Sequence, residues 1–174
     1  MITAYNQYEY LKEQATKHKL ILHTEDDSHV HIISSVFNLE EFQSKMNNTN
    51  GVQVLSVNLD DYSAVGANAN TISDSVFNTF WIVKKAIGGD PEDKTATRET
   101  CKTIANNFVG RMKKQCSQML ENKISRTQLM HLDALTFSIR AYELPIGDNY
   151  IGVQVNYRIV PPTAMTDDPA AWMD

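Results

Sequence analysis

Hydrophobic and polar positions alternate most regularly between Ala134 and Pro162. Leu135, Phe137, Ile139 and Ala141 interleave with Thr136, Ser138, Arg140 and Tyr142. After a Pro145–Tyr150 link, Ile151, Val153, Val155, Tyr157 and Ile159 interleave with Gly152, Gln154, Asn156, Arg158 and Val160. A period of two over such lengths predicts two half-buried antiparallel strands joined as a hairpin. A different period rules the middle of the chain. Cys101, Ile104, Ala105, Phe108, Val109, Met112, Cys116, Met119 and Leu120 recur every three or four residues. That is one broad apolar stripe on a helix from Pro91 to Glu121. Asp90 is placed to cap it, Pro91 takes the first helical position, and Glu92 and Asp93 complement the positive end of the dipole.

The remaining pattern is shorter-ranged. Tyr5, Tyr8, Leu11 and Ala15 predict a helix from Ala4 to His18, with Lys17, His18 and Lys19 at its negative end. A strand at Leu20–Thr24, an acidic turn at Glu25–Ser28 and a strand at His29–Ser34 follow. Asn38 with Glu41 three residues on reads as a capping box for a short helix ending near Met46. Val52, Val54, Val57 and Leu59 open a strand that closes at Asp60-Asp61, and Ser63–Asn70 reads as a mobile polar loop. Ile72–Ile87 is a strand whose uneven apolar spacing implies a bulge. The order predicts an α+β fold, an antiparallel sheet with the N-terminal helix and the long helix packed on one face. Residues 1–162 form one domain in this reading, and 163–174 an extended tail, either an unstructured end or one folding back on its own subunit, or an arm that docks Trp172 into a neighbour, as large aromatics sit at interfaces.

Composition adds limits. The chain has 174 residues, 42% hydrophobic and 21% charged, as in ordinary globular domains. A net charge of −5 gives no general affinity for nucleic acid or an anionic membrane. No apolar run reaches the roughly 20 residues needed to span a bilayer, and the N-terminus has neither the basic nor the apolar region of a secretory signal. The expected compartment is the cytoplasm or a particle assembled there. Cys101 and Cys116 fall on one helix about 22 Å apart along its axis, too far to bridge, so they read as buried free thiols.

Chemistry-bearing clusters are few. His18, His23, His29 and His31 lie close in sequence, but pairing Thr24 with His29 sets His23 on the opposite face from His29 and His31, leaving no third ligand for zinc. Glu25, Asp26 and Asp27 lack the spacing of a calcium loop. Gly88–Thr95 ends in Lys-Thr like a phosphate loop, yet has no glycine before the lysine and carries a proline and acids. Lys84, Lys85, Lys94, Arg98, Lys102, Arg111, Lys113 and Lys114 make a basic, solvated stretch. The expectation is a protein with no catalytic residues, no metal and no cofactor.

Four segments carry a resemblance: TyrLeuLysGluGlnAlaThrLysHisLysLeuIleLeuHis at Tyr10–His23, ValAsnLeuAsp at Val57–Asp60, GlyGlyAspProGluAsp before the long helix, and LeuProIleGlyAspAsnTyrIleGlyValGlnValAsnTyrArgIle at Leu144–Ile159. In order and texture the chain resembles tail-completion proteins of tailed bacteriophages, of the tail-terminator class, as carried by phages of Bacteroidetes. The resemblance implies a non-enzymatic virion protein of the tail or neck, forming a homo-oligomeric ring, with a hexamer as one closed form. It also implies contacts with other tail or neck proteins, and genomic DNA only passing through the lumen. Ser63, Ala64, Val65 and Asn68, the hairpin-tip residues Asp148, Asn149 and Tyr150, and Trp172 are the candidate interface residues. The alternative is a monomeric adaptor that recognises a protein partner through a sheet edge.

Overall fold

The computed structural model describes residues 5–21, 23–46, 51–68, 71–87, 90–144 and 149–160, without the side chains of 39, 58–68 and 71–75. Its longest helix begins as its sequence dictates. Asp90 accepts a hydrogen bond from the Asp93 amide at 2.7 Å, and Pro91 opens α3 (Pro91–Leu120). Most of the predicted stripe is its buried face, with Cys101, Ile104, Ala105, Phe108, Val109, Met112 and Met119 inside, while Cys116 is half-buried and Leu120, at the helix end, is exposed. They pack on the sheet together with Leu11 and Ala15 of α1 (Gln7–Lys17), whose Asn6 cap accepts from the Glu9 amide.

Five strands form the sheet: β1 (Val30–Ile33), β2 (Val52–Asn68), β3 (Thr71–Lys85), β4 (Ser138–Glu143) and β5 (Tyr150–Ile159), in the order β1-β2-β3-β5-β4. The C-terminal hairpin is in the expected register, from Ser138 opposite Asn156 to Glu143 opposite Ile151. Its first strand begins later than the alternation suggested. Asp133 gathers the Leu135 and Thr136 amides into a turn, leaving Leu135 in solvent.

The fold class is α+β as expected, with two amendments to the sheet. First, β1 pairs with β2 in parallel, Val30 opposite Val54 through Ile33 opposite Val57. Parallel neighbours need a crossover, and α2 (Leu39–Met46) supplies it. Second, that crossover covers the other face of the sheet, so the helices do not all share one side. Val52, Val54, Phe80, Ile82, Val153 and Val155 belong to the core under α1 and α3. Leu55, Val57, Trp81 and Val83 join Phe42 and Met46 of α2, with Ile33 and Val36, in a second core. Successive residues of β2 and β3 are therefore buried on alternate faces, which explains the near-continuous apolar run Phe80–Val83.

The predicted strand at Leu20–Thr24 does not form. The chain leaves α1 through a turn in which the Ile21 amide donates to the His18 carbonyl, tucking Ile21 into the core while Leu20 stays exposed. The Asn38 cap holds, accepting from the Glu41 amide at 3.2 Å, but the reciprocal half of the box is absent. Glu41 instead takes the Ser34 amide and hydroxyl, which holds its carboxyl below the usual carboxylate range. The helix is thereby tied to the end of β1.

Candidate functional site

The segment expected to be a loop is a strand. Ser63, Ala64, Val65 and Asn68 lie on β2, opposite Ser75, Asp74, Ser73 and Thr71 of β3. Pairing of β1 ends at Val57 and that of β5 begins at Val76. Beyond those points β2 and β3 continue alone as a two-stranded arm. From Asp61 to Asn68 it reaches about 25 Å at the usual strand rise. Among the described residues no strand pairs with the outer side of 61–68 or of 71–75. Its ladder shifts register twice. Three residues, 58–60, oppose the single residue 78 at the base, and residue 67 is unmatched near the tip. Such bulges sharpen the twist and set the arm's direction.

The arm's base is held by a polar group that the sequence did not advertise. Gln7 of α1 donates from Nε2 to the Ser56 hydroxyl at 2.9 Å and to the Thr79 carbonyl at 2.8 Å, with the Val57 carbonyl at 3.4 Å. Val57 and Thr79 are the last regular pair before the shift. The Tyr157 hydroxyl donates to Gln7 Oε1 at 3.0 Å, and the Tyr5 hydroxyl lies 2.6 Å from that of Tyr157. With the Tyr157 proton committed to Gln7, Tyr5 is the donor to Tyr157. Burial pushes both phenols far above their ordinary range, so the chain of donors stays protonated. Only the helical phase of Gln7, one turn before Leu11, could have hinted at this inward role.

The other candidates lie elsewhere. Tyr150 opens β5 opposite Lys85, at the far end of β3 from the arm tip. It is half-buried, edge-on to Phe42 at 5.2 Å, with the Lys85 ammonium 5.9 Å from its ring centre. Asn149 is exposed in a left-handed conformation at φ 64°, its carbonyl accepting from the Ala86 amide. Asp148 and Trp172 fall outside the described residues. The structure thus gathers Ser63, Ala64, Val65 and Asn68 at one pole and sets Asn149 and Tyr150 at the opposite one.

The histidines meet differently from the pairing expected. His23 and His29 are not on opposite faces of a hairpin: the His29 amide donates to His23 Nδ1 at 2.9 Å. Gln53 bridges the next two rings, 3.0 Å from His29 Nδ1 and 3.0 Å from His31 Nε2, and Asp27 lies 3.2 Å from His29 Nε2. Among the described residues no three His, Cys, Asp or Glu side chains are grouped to hold a metal ion. Burial, reinforced by the nearby Lys45 and His29, holds His31 below the ordinary histidine range, and burial and Lys12 do the same to His23. A ring kept neutral in the fold takes up a proton on unfolding, so its stabilising share is complete above about pH 6.5 and is lost as the pH falls below it. The melting temperature should therefore drop by several degrees between about pH 7.5 and about pH 5.5, at about 2–4 °C per kcal/mol for this chain length. His31→Asn should flatten the slope. A melting temperature flat across that window would contradict the assignment.

Burial disfavours the thiolate form at both cysteines. Burial pushes Cys101 up to about 12 and raises Cys116, whose Sγ lies 3.4 Å from the Met130 carbonyl. The basic stretch is partly neutralised. Lys94 and Arg98 reach Glu143 at 3.5 and 3.4 Å, and Lys102 reaches Glu99 at 2.9 Å. Among the described residues no helix is long and apolar enough to cross a membrane. The sequence matches no protein-family model, and no curated protein matches it significantly.

Proposed function

We propose that this chain is a non-enzymatic assembly protein of a phage virion, closing into a ring at the tail or neck through its β2–β3 arm. The observation that carries this reading is the arm, two strands whose outer backbone donors and acceptors have no partner strand among the described residues. Open edges of this kind are usually guarded by lysine or proline. Residues 58–75 contain neither, and their only charges are Asp60, Asp61 and Asp74. Pairing with a neighbour's strand would satisfy those groups through main-chain hydrogen bonds. A head-to-tail ring needs two different patches, and the subunit offers two poles, the arm and the β4–β5 end.

Native mass spectrometry over a concentration series tests this. The full chain should give a discrete closed oligomer. Replacing residues 63–75 by Asn-Gly, which closes the ladder at the Tyr62–Val76 pair with a favoured two-residue turn, should leave a folded monomer. A full chain that stays monomeric at every concentration would favour the adaptor reading, in which the edge receives a strand from a different protein.

A further inference from the structure

A cavity of about 490 Å³ lies between the C-terminal end of α1, the turn after it and the middle of α3. Its wall is basic and carries no carboxylate. Lys17 is taken up by Glu13, but Lys19 and Arg111 have no ion pair among the described residues. Apolar surface comes from Phe108 and from Leu20, which is 55% exposed. Gln14 also lines it. That side chain is only 6% exposed, and its amide nitrogen finds no acceptor among the described residues. A buried donor left unpaired costs about 1–3 kcal/mol, a cost that an arriving acceptor would remove.

We infer that this cavity is a docking site for the chain's own residues 163–174. The segment is complementary in both respects. It carries Asp167, Asp168 and Asp174 with no Lys, Arg or His, and it offers Met165, Trp172 and Met173. Reach is sufficient. The described chain ends beside His131, where the Val160 amide donates to the His131 carbonyl. Twelve extended residues span about 40 Å, well beyond the roughly 16 Å length of α1 that separates the Tyr5–Tyr157 contact from the cavity. Carboxylates would meet Lys19 and Arg111, a backbone or side-chain oxygen would take the Gln14 amide, and the indole would cover Phe108 and Leu20. This inference goes beyond the assembly reading and does not depend on it.

The two tryptophans make the test direct. Trp81 is 3% exposed, so acrylamide quenching of the full chain reports on Trp172. Docking predicts that Trp172 is shielded in the native chain. The double variant Lys19→Glu/Arg111→Glu, at two exposed positions, should raise the quenching constant severalfold in a chain that still unfolds in one cooperative transition. Adding Asp167→Lys/Asp168→Lys should restore shielding. Quenching in the native chain equal to that of a free tryptophan peptide would overturn the inference, as would indifference to the charge reversal. So would a Gln14 side-chain amide resonance that moves with added inorganic phosphate while Trp172 stays accessible, since the cavity would then hold a free anion.

Discussion

Phe108→Ala should destabilise the protein by about 3–5 kcal/mol, the largest loss expected from a single core truncation here. Phe108 is 2% exposed, and its ring lies 5.8 Å from Phe80 of β3 and 5.9 Å from His18 at the end of α1. Phe80 in turn packs edge-on to Tyr157 of β5 at 6.2 Å. One side chain therefore joins α3, α1 and the central strands. Phe80 cannot refill the space without leaving its contact with Tyr157. Urea unfolding should show a lower midpoint with an unchanged slope, and the melting temperature should fall by about 6–20 °C. A loss below about 1 kcal/mol would mean that α3 is seated by other contacts.

Gly152→Val should cost about 3 kcal/mol, the upper end for overpacking, on the opposite face of the sheet. A Cβ at Gly152 would lie 2.9 Å from Trp81 Cε3, 3.1 Å from Cζ3 and 3.2 Å from Leu144 Cδ1. The indole cannot yield easily, since Phe37 meets it edge-on at 6.3 Å and Tyr142 packs at 5.3 Å. The glycine is required by this close approach alone, as its backbone lies outside the left-handed region. Gly152→Ala should cost less but still be measurable by the same unfolding curves. If the alanine variant is as stable as the parent, the indole has room to move and the second core is looser than described.

These two residues differ in how visible they are from sequence. Phe108 sits on a stripe whose period survives because α3 buries one face along nearly its whole length. Gly152 reads as an ordinary outward position in an alternating strand. Its importance comes from Trp81 on the neighbouring strand, a relation that no local pattern carries. The same holds for the parallel pairing of β1, four residues long, whose direction is fixed by the α2 crossover rather than by its own side chains. The arm was illegible for another reason. Ser63–Asn68 is built of small and polar residues with no apolar alternation, so composition speaks for a loop. Its extended form comes from a ladder with β3, and a ladder of main-chain bonds leaves no signature in side-chain hydropathy. Ser63, Ala64, Val65 and Asn68 thus read as a loop in the sequence and lie on a strand in the structure.

The continuity of β3 has a mechanical consequence. It runs unbroken from the arm's tip to the last pair with β5, and its ladder with β5 is regular from Val76–Ile159 to Lys85–Tyr150. Tension applied lengthwise at the arm would load those cross-strand bonds in shear, all together, whereas tension across the strands would open them one after another. The subunit is thus built to resist force along the arm's own axis, with β5 as the anchor plate and the α1 and α3 layer as its backing.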